Sequence, residues 1–374
     1  MEIKSVQFIG LRSPLDPPAR FSWGEADARN VGLVKVVTSD GSVGWGETSV
    51  TFPLWSLEER RATVTMGLAP MVIGMACGTV EEIQEVTVTA EKNMARLRVL
   101  WSPVGISSAI GALEMALLDA WGRSQGEPVW KLLGGEHRAV DLYAVGFTGG
   151  PEQSAEQASG ALEEGYAAVK IRAGFGEDAD LNLLRIFRQT LGDSATVYVD
   201  VNMGWQLPAA MHMAEQMRDF GIGWLEEPLS RDDLEGLRSI RNLNVTPLAA
   251  GENCYSRSEL VSLAKSGLVD VIMPDLARCG GFLTALEGSR TALEQGLQYS
   301  THHYASDIGF SAMSALCSVA GPSAPILRDM SPWPLREELL SEPLTISGGR
   351  AWAYEGPGLA PEPSDSVIER TRVL

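Results

Sequence analysis

Seven short β-rich apolar runs recur between residues 140 and 325, at 142–145, 168–171, 196–201, 223–225, 246–249, 269–273 and 298–301. Amphipathic stretches with helical spacing separate them, for example 181–191 and 209–220. Strict alternation of strand and helix periods builds a parallel sheet, because each helix must carry the chain back across it. Seven or eight units of about 26 residues suit a closed barrel better than an open sheet. Upstream the pattern differs. Residues 31–38 and 43–48 read as strands around a turn at 39–42, and from about 57 to 133 the period is helical. The clearest helix covers 106–121, with Ile110, Leu113, Ala116, Leu117 and Ala120 on one face. Residues from about 330 onward, rich in Pro, Gly and Glu, are expected to return to the N-terminal part.

This pattern predicts an α/β fold in three parts: a smaller α+β domain over 1–133, a barrel over 134–329 and a returning segment over 330–374. No GxGxxG follows a first strand and no Walker A sequence occurs, so the open nucleotide-binding folds lose their support. The net charge of −18 repels nucleic acid and anionic membranes. It also repels anionic substrates, so a pocket for an acid must carry its own positive charge. The four cysteines show no CxxC spacing, and residues 1–6 lack a signal-peptide core, so a cytoplasmic location is expected. The uncharged run at 62–80 contains Pro70 and three glycines and reads as a buried helix with its turn, not a membrane span.

Three carboxylates punctuate the alternation. Asp200, Glu226 and Glu252 each close an apolar run, and the step between them is 26 residues both times. One βα unit has that length, so the three stand at the ends of neighbouring strands and converge. Converging carboxylates repel unless a cation lies between them, which implies a hard-metal site. The same strand ends carry Lys170, Arg172, Asn202, Asp275 and His302. Any one of these alone reads as a helix cap, a turn residue or a rim charge. Their joint spacing makes them a candidate site.

The stretches Val169-Lys-Ile-Arg172, Val199-Asp-Val-Asn202, Trp224-Leu-Glu-Glu-Pro228, Ala250-Gly-Glu-Asn253, Met273-Pro-Asp275, Gly280-Gly281 and Ser300-Thr-His302 together resemble the enolase superfamily, in particular its mandelate racemase/muconate lactonizing enzyme family. The resemblance spans the chain. It implies a modified TIM barrel, (β/α)7β, with an N-terminal α+β capping domain completed by the C-terminal tail. It further implies one Mg2+ per subunit held by Asp200, Glu226 and Glu252, and a small carboxylate as substrate. Asp275 and His302 would form a catalytic dyad of the mandelate racemase subgroup, with Lys170 and Asn202 adding hydrogen bonds to the substrate. A homo-oligomer, dimer or octamer, is implied as well.

Two positions depart from that family. Arg172 stands where a second lysine base is common. A guanidinium keeps its proton at neutral pH, so Arg172 is expected to act as an anion binder or electrostatic stabiliser. Arg328 stands near the eighth strand where mandelate racemase has a glutamate, and is expected to bind substrate. Both departures disfavour a two-base racemase. Specificity is expected in capping loops: Arg20, Phe21 and Trp23 in one, Thr51, Phe52 and Trp55 in the other. The reading is a Mg2+-dependent acid-sugar dehydratase giving a 2-keto-3-deoxy acid, with His302 as base and then acid. The alternatives are an isomerase (lactone cycloisomerase, racemase or epimerase) and a non-catalytic barrel.

Overall fold

Residues 1–21, 24–100 and 102–374 are described by the structure, a computed structural model. The chain opens with an antiparallel sheet of β1 (Ile3–Phe21), β2 (Gly24–Thr38) and β3 (Val43–Thr48). The β1–β2 register slips between Pro14 and Ala19, where prolines cannot donate to the ladder. The expected turn lies between β2 and β3, with Gly41 at φ 90°.

The helix Pro103–Gln125 packs on this sheet. Ser102 caps it by accepting from the Gly105 amide at 3.0 Å, Pro103 occupies its first position and Gly126 ends it at φ 68°. The sequence pattern predicts one buried face, but its most apolar window is 94% buried. Two partners cause this. On one side the glycines of β3 bring strand and helix backbones together: a Cβ on Gly46 would lie 2.0 Å from the Ala112 carbonyl oxygen. On the other side Gly111 abuts the barrel, where a Cβ would lie 2.7 Å from the Gly281 amide. Among the described residues this helix alone is long and apolar enough to cross a membrane, and it is a core helix.

Eight parallel strands form the barrel: β4 (Ala139–Val145), β5 (Ala168–Arg172), β6 (Val197–Asp200), β7 (Leu225–Glu226), β8 (Leu248–Ala250), β9 (Val271–Ile272), β10 (Gln298–Tyr299) and β11 (Ile326–Asp329). Helices join successive strands, and β11 pairs back onto β4. The gap between β10 and β11 is bridged by Ala324 N–H to Tyr299 O at 2.9 Å and Ser300 Oγ to Pro325 O at 2.7 Å. This is the expected (β/α)7β barrel. From β6 to β10 the regular strands are shorter than the apolar runs, because the run ends bond as loops, whereas β4 and β5 extend past theirs.

Side chains alternate across each strand. Tyr143, Tyr198, Trp224, Met273 and Leu327 belong to one inward cluster. Tyr198 and Trp224 stack, and Tyr143 meets both edge-on, which closes the barrel floor. The tail also behaves as expected: Leu335, Leu339, Val367 and Ile368 pack with Ile9, Leu11 and Leu33 of the capping sheet. In addition it contributes a hairpin, β12 (Ile346–Ser347) and β13 (Arg350–Trp352), whose second strand pairs antiparallel with β4.

Candidate active site

Asp200 closes β6, Glu226 closes β7, and Glu252 lies two residues beyond β8. One oxygen from each lies within 4.8 Å of the others, and all three side chains are buried. Lys170 on β5 donates to Glu226 Oε1 at 2.7 Å and lies 3.2 Å from Asp200 Oδ2. Trp224 Nε1 donates to Glu226 Oε2 at 3.2 Å. On the far side, His302 Nδ1 and Asp275 Oδ2 share a hydrogen bond of 2.7 Å, and His302 Nε2 lies 3.1 Å from Glu252 Oε2. The Asp–His pair therefore aims its second ring nitrogen at the triad. Arg278 spans both groups, donating to Glu252 Oε1 at 3.0 Å and lying 3.4 Å from Asp275 Oδ2.

Burial sets the electrostatics. It raises Glu226 to about 8, against the opposing pull of Lys170. Burial also drives Glu227 well up, with the neighbouring carboxylates adding to it. Burial opposes ionisation of Glu252 too, but His302, Arg278 and Lys170 outweigh it and lower that group to about 2. For Asp275 the same contest is won by the His302 hydrogen bond and by Arg278, so its pKa falls. Lys170 is held well above its ordinary range, since Asp200 and Glu226 overcome its desolvation.

The residues present fit a divalent cation. Four buried carboxylates contact two cations: Asp200 and Glu226 meet Lys170, and Glu252 and Asp275 meet Arg278, while buried Glu227 accepts from Asn253. Glu252 Oε2 is buried without an aligned hydrogen bond. A convergent all-oxygen donor set selects a hard ion such as Mg2+.

The other expected residues scatter. Asn202 adopts φ 48° and its amide donates to Asp200 Oδ1 at 2.9 Å, so its backbone shapes the turn beside the triad. Arg172 lies over the Tyr304 ring at 5.4 Å. Phe52 reaches the same ring, with centroids 6.4 Å apart, while Trp55 is exposed to solvent. Trp23 and the side chains of Arg20 and Phe21 lie outside the described residues. Arg328 is held away from the triad: it pairs with Asp307 at 2.5 Å on the helix outside the barrel and packs over Phe310. Period-two alternation explains this, since its neighbours Leu327 and Asp329 take the inward positions.

A cavity of about 660 Å³ lies between the β1–β2 hairpin and the barrel's strand ends. The triad is not on its wall. Lys170 is, and links the two. Residues not anticipated from the sequence are Arg278, Arg29 and Tyr304. The Asp275-x-x-Arg278 spacing was a usable signal, because residues three apart share a helix face. Arg29 carried none, because it sits in mid-strand on the cap.

A capped (β/α)7β barrel with this constellation at its strand ends defines an enolase-type enzyme scaffold. The chain belongs to the mandelate racemase/muconate lactonizing enzyme family: residues 5–134 match the N-terminal domain of that name, and residues 153–367 match the enolase C-terminal domain-like family. Muconate cycloisomerase 1 of Rhodococcus opacus is 30% identical, over 100% of this chain and 99% of its own length. D-galactarolactone cycloisomerase of Agrobacterium fabrum is 28% identical over the same shares. D-gluconate dehydratase of Thermoproteus tenax is 28% identical over 98% of this chain and 75% of its own length. A solved enolase-superfamily member from Polaromonas sp. JS666 superposes with a TM-score of 0.91 at 26% identity, covering 100% of this chain and 98% of that one. The relatives thus include both isomerases and a dehydratase acting on small carboxylic acids or their lactones.

Proposed function

We propose that this protein is a Mg2+-dependent acid-sugar dehydratase. One observation carries the reading: a single buried Asp275–His302 pair faces the triad, while the partner position on β5 is an arginine, which cannot serve as a second base. Asp200, Glu226 and Glu252 would hold the ion. Once bound, it supplies positive charge against the dianionic character that develops as the carbon α to a carboxylate is deprotonated.

The chain's own groups do the rest. Asp275 accepts from His302 Nδ1–H, which leaves Nε2 with its lone pair free to take the α-proton. Asp275 then stabilises the imidazolium. Lys170, already charged at the triad, adds a hydrogen bond to the carboxylate oxygens. Elimination follows as the electron pair forms the Cα–Cβ double bond and the β C–O bond breaks. His302 returns its proton to the departing hydroxide, giving water and an enol that becomes the 2-keto acid. His302 thereby returns to its starting state with no second base. The buried floor of Tyr143, Tyr198 and Trp224 excludes water from below. The four free cysteines accord with a reducing cytoplasm.

A lactone cycloisomerase is the second reading, favoured by the full-length similarity to D-galactarolactone cycloisomerase. It needs the same deprotonation and a single proton donor. Screening mono- and diacid sugars and their lactones with Mg2+ separates the two. The dehydratase yields semicarbazide-reactive 2-keto acid, and His302→Asn lowers that rate on the order of 10³-fold. Mass-conserving conversion with solvent deuterium uptake and no keto acid would establish the isomerase instead.

A further inference from the structure

The cavity above Lys170 is cationic in a chain whose net charge is −18. Among the described residues, the charged side chains on its wall are Arg29, Lys170, Arg172 and, on the exposed rim, Glu25. The two arginines share one ring. Tyr304 has the Arg29 guanidinium over it at 3.8 Å and the Arg172 guanidinium at 5.4 Å. Arg29 is itself sandwiched, since Trp333 covers its other face at 4.0 Å. The result is a cluster of Trp333, Arg29, Tyr304 and Arg172 beside the cavity.

The charge of Arg29 is undercompensated. Arg29 is fully buried and donates to Asp329 Oδ2 at 2.8 Å and to Ser331 Oγ at 3.3 Å, but its Nε and Nη2 have no hydrogen-bond partner. The same Asp329 carboxylate also serves Arg336, whose Nη1 lies 3.3 Å away. One buried acid thus faces two buried arginines. Burying an uncompensated guanidinium is unfavourable, and it persists where a ligand or a fixed field requires it. Arginine is also the side chain whose planar fork matches a carboxylate.

We propose that the Arg172–Tyr304 face is a subsite for a second carboxylate, distal to the one at the triad, so that the preferred substrate is a dicarboxylic acid. This rests on the proposed function for the proximal carboxylate. Arg172, partly exposed beside Tyr304 on the cavity wall, makes the contact. Arg29, stacked on the same ring, is a positioning residue that fixes Tyr304 and projects positive potential into the cavity.

The test uses achiral, unreactive probes: 2-oxoglutarate against 2-oxopentanoate, and 2-oxoadipate against 2-oxohexanoate. Each pair shares a chelating head and differs only in a tail carboxylate. Calorimetric titration of the Mg2+-loaded protein should show the diacid binding at least about tenfold tighter at low ionic strength, with the preference shrinking as salt is added. Arg172→Gln should bring the ratio close to one. Arg29→Met should reduce it, and Arg29→Lys should preserve most of it. If Arg29→Met does not fold, Arg172→Gln decides alone. Equal affinities, undetectable diacid binding, or an unchanged ratio in Arg172→Gln overturns the subsite. Failure is separable from failure of the reaction: keto acid from monoacid sugars without diacid preference removes only the subsite, and diacid preference without keto acid removes only the dehydratase.

Discussion

Asp275 fixes which nitrogen of His302 is free, so its replacement acts through the imidazole tautomer more than through binding. Asp275→Asn should lower kcat on the order of 10²–10⁴-fold and leave KM within a few-fold, which steady-state kinetics on the substrate found by screening would check. A second single-residue prediction concerns Glu47. It is fully buried in β3 and accepts from Ser306 N, Ser306 Oγ and Gly309 N at 2.9, 2.8 and 3.0 Å, which pins the segment after His302. Burial raises its pKa from 4.5 to about 7. Between those values the folded state keeps a proton that the unfolded chain has lost. Its stabilising contribution is therefore full below pH 4.5 and is lost as pH rises through 7, a change of roughly 3 kcal/mol. His303, lowered to about 4 by burial, acts in the opposite sense below pH 6.5. The comparison is thus between parent and Glu47→Gln in urea melts from pH 5 to 8: the parent should lose stability relative to the variant as pH rises, and parallel curves would exclude this role. The triad was legible in the sequence because each acid ends an apolar run. Arg328 was misplaced because strand-end proximity says nothing about which face a residue takes. Arg29 was invisible because its partners, Tyr304, Trp333 and Asp329, meet it only in the tertiary fold.

At the level of elements, the helix Pro103–Gln125 is the hinge plate between cap and barrel, and glycines set its distance to both. Gly46→Ala would drive a methyl group into the Ala112 carbonyl, a backbone atom that cannot swing away. It should destabilise the protein by about 1–3 kcal/mol or prevent folding, read from chemical denaturation. Gly41→Ala, in the turn with nothing within 4 Å, suffers only its backbone strain at φ 90° and should be milder. Periodicity located this helix but not its all-round burial, because a pattern dominated by Ala, Gly and Ser does not report how many partners it has. The strand positions were readable for the opposite reason: barrel strands buried on both faces leave continuous apolar runs.

For the whole molecule, metal binding at the proposed site is expected to be linked to folding. The three acids of the triad converge beside Lys170 and Arg278, and a divalent ion seated among them would favour the folded state. Mg2+ at 100 times its Kd should therefore raise unfolding free energy by about 2.7 kcal/mol, and chelation should remove that increment. Asp200→Asn should abolish the magnesium-dependent part of the thermal shift. A parent protein whose melting ignores both Mg2+ and chelator would contradict the metal site. One further consequence follows from the tail that lies on the capping sheet. Trp333 Nε1 donates to Ser13 Oγ across 320 residues of sequence, and Ile9, Leu11 and Leu33 share their cluster with Leu339 and Val367. On the ribosome, the first strands emerge long before the segment that covers them. The barrel can close while the cap is still half-naked, so the domain begun first is the one finished last. Its apolar sheet face is then the surface that nascent-chain chaperones would meet, and slow translation downstream of the barrel would lengthen that exposure.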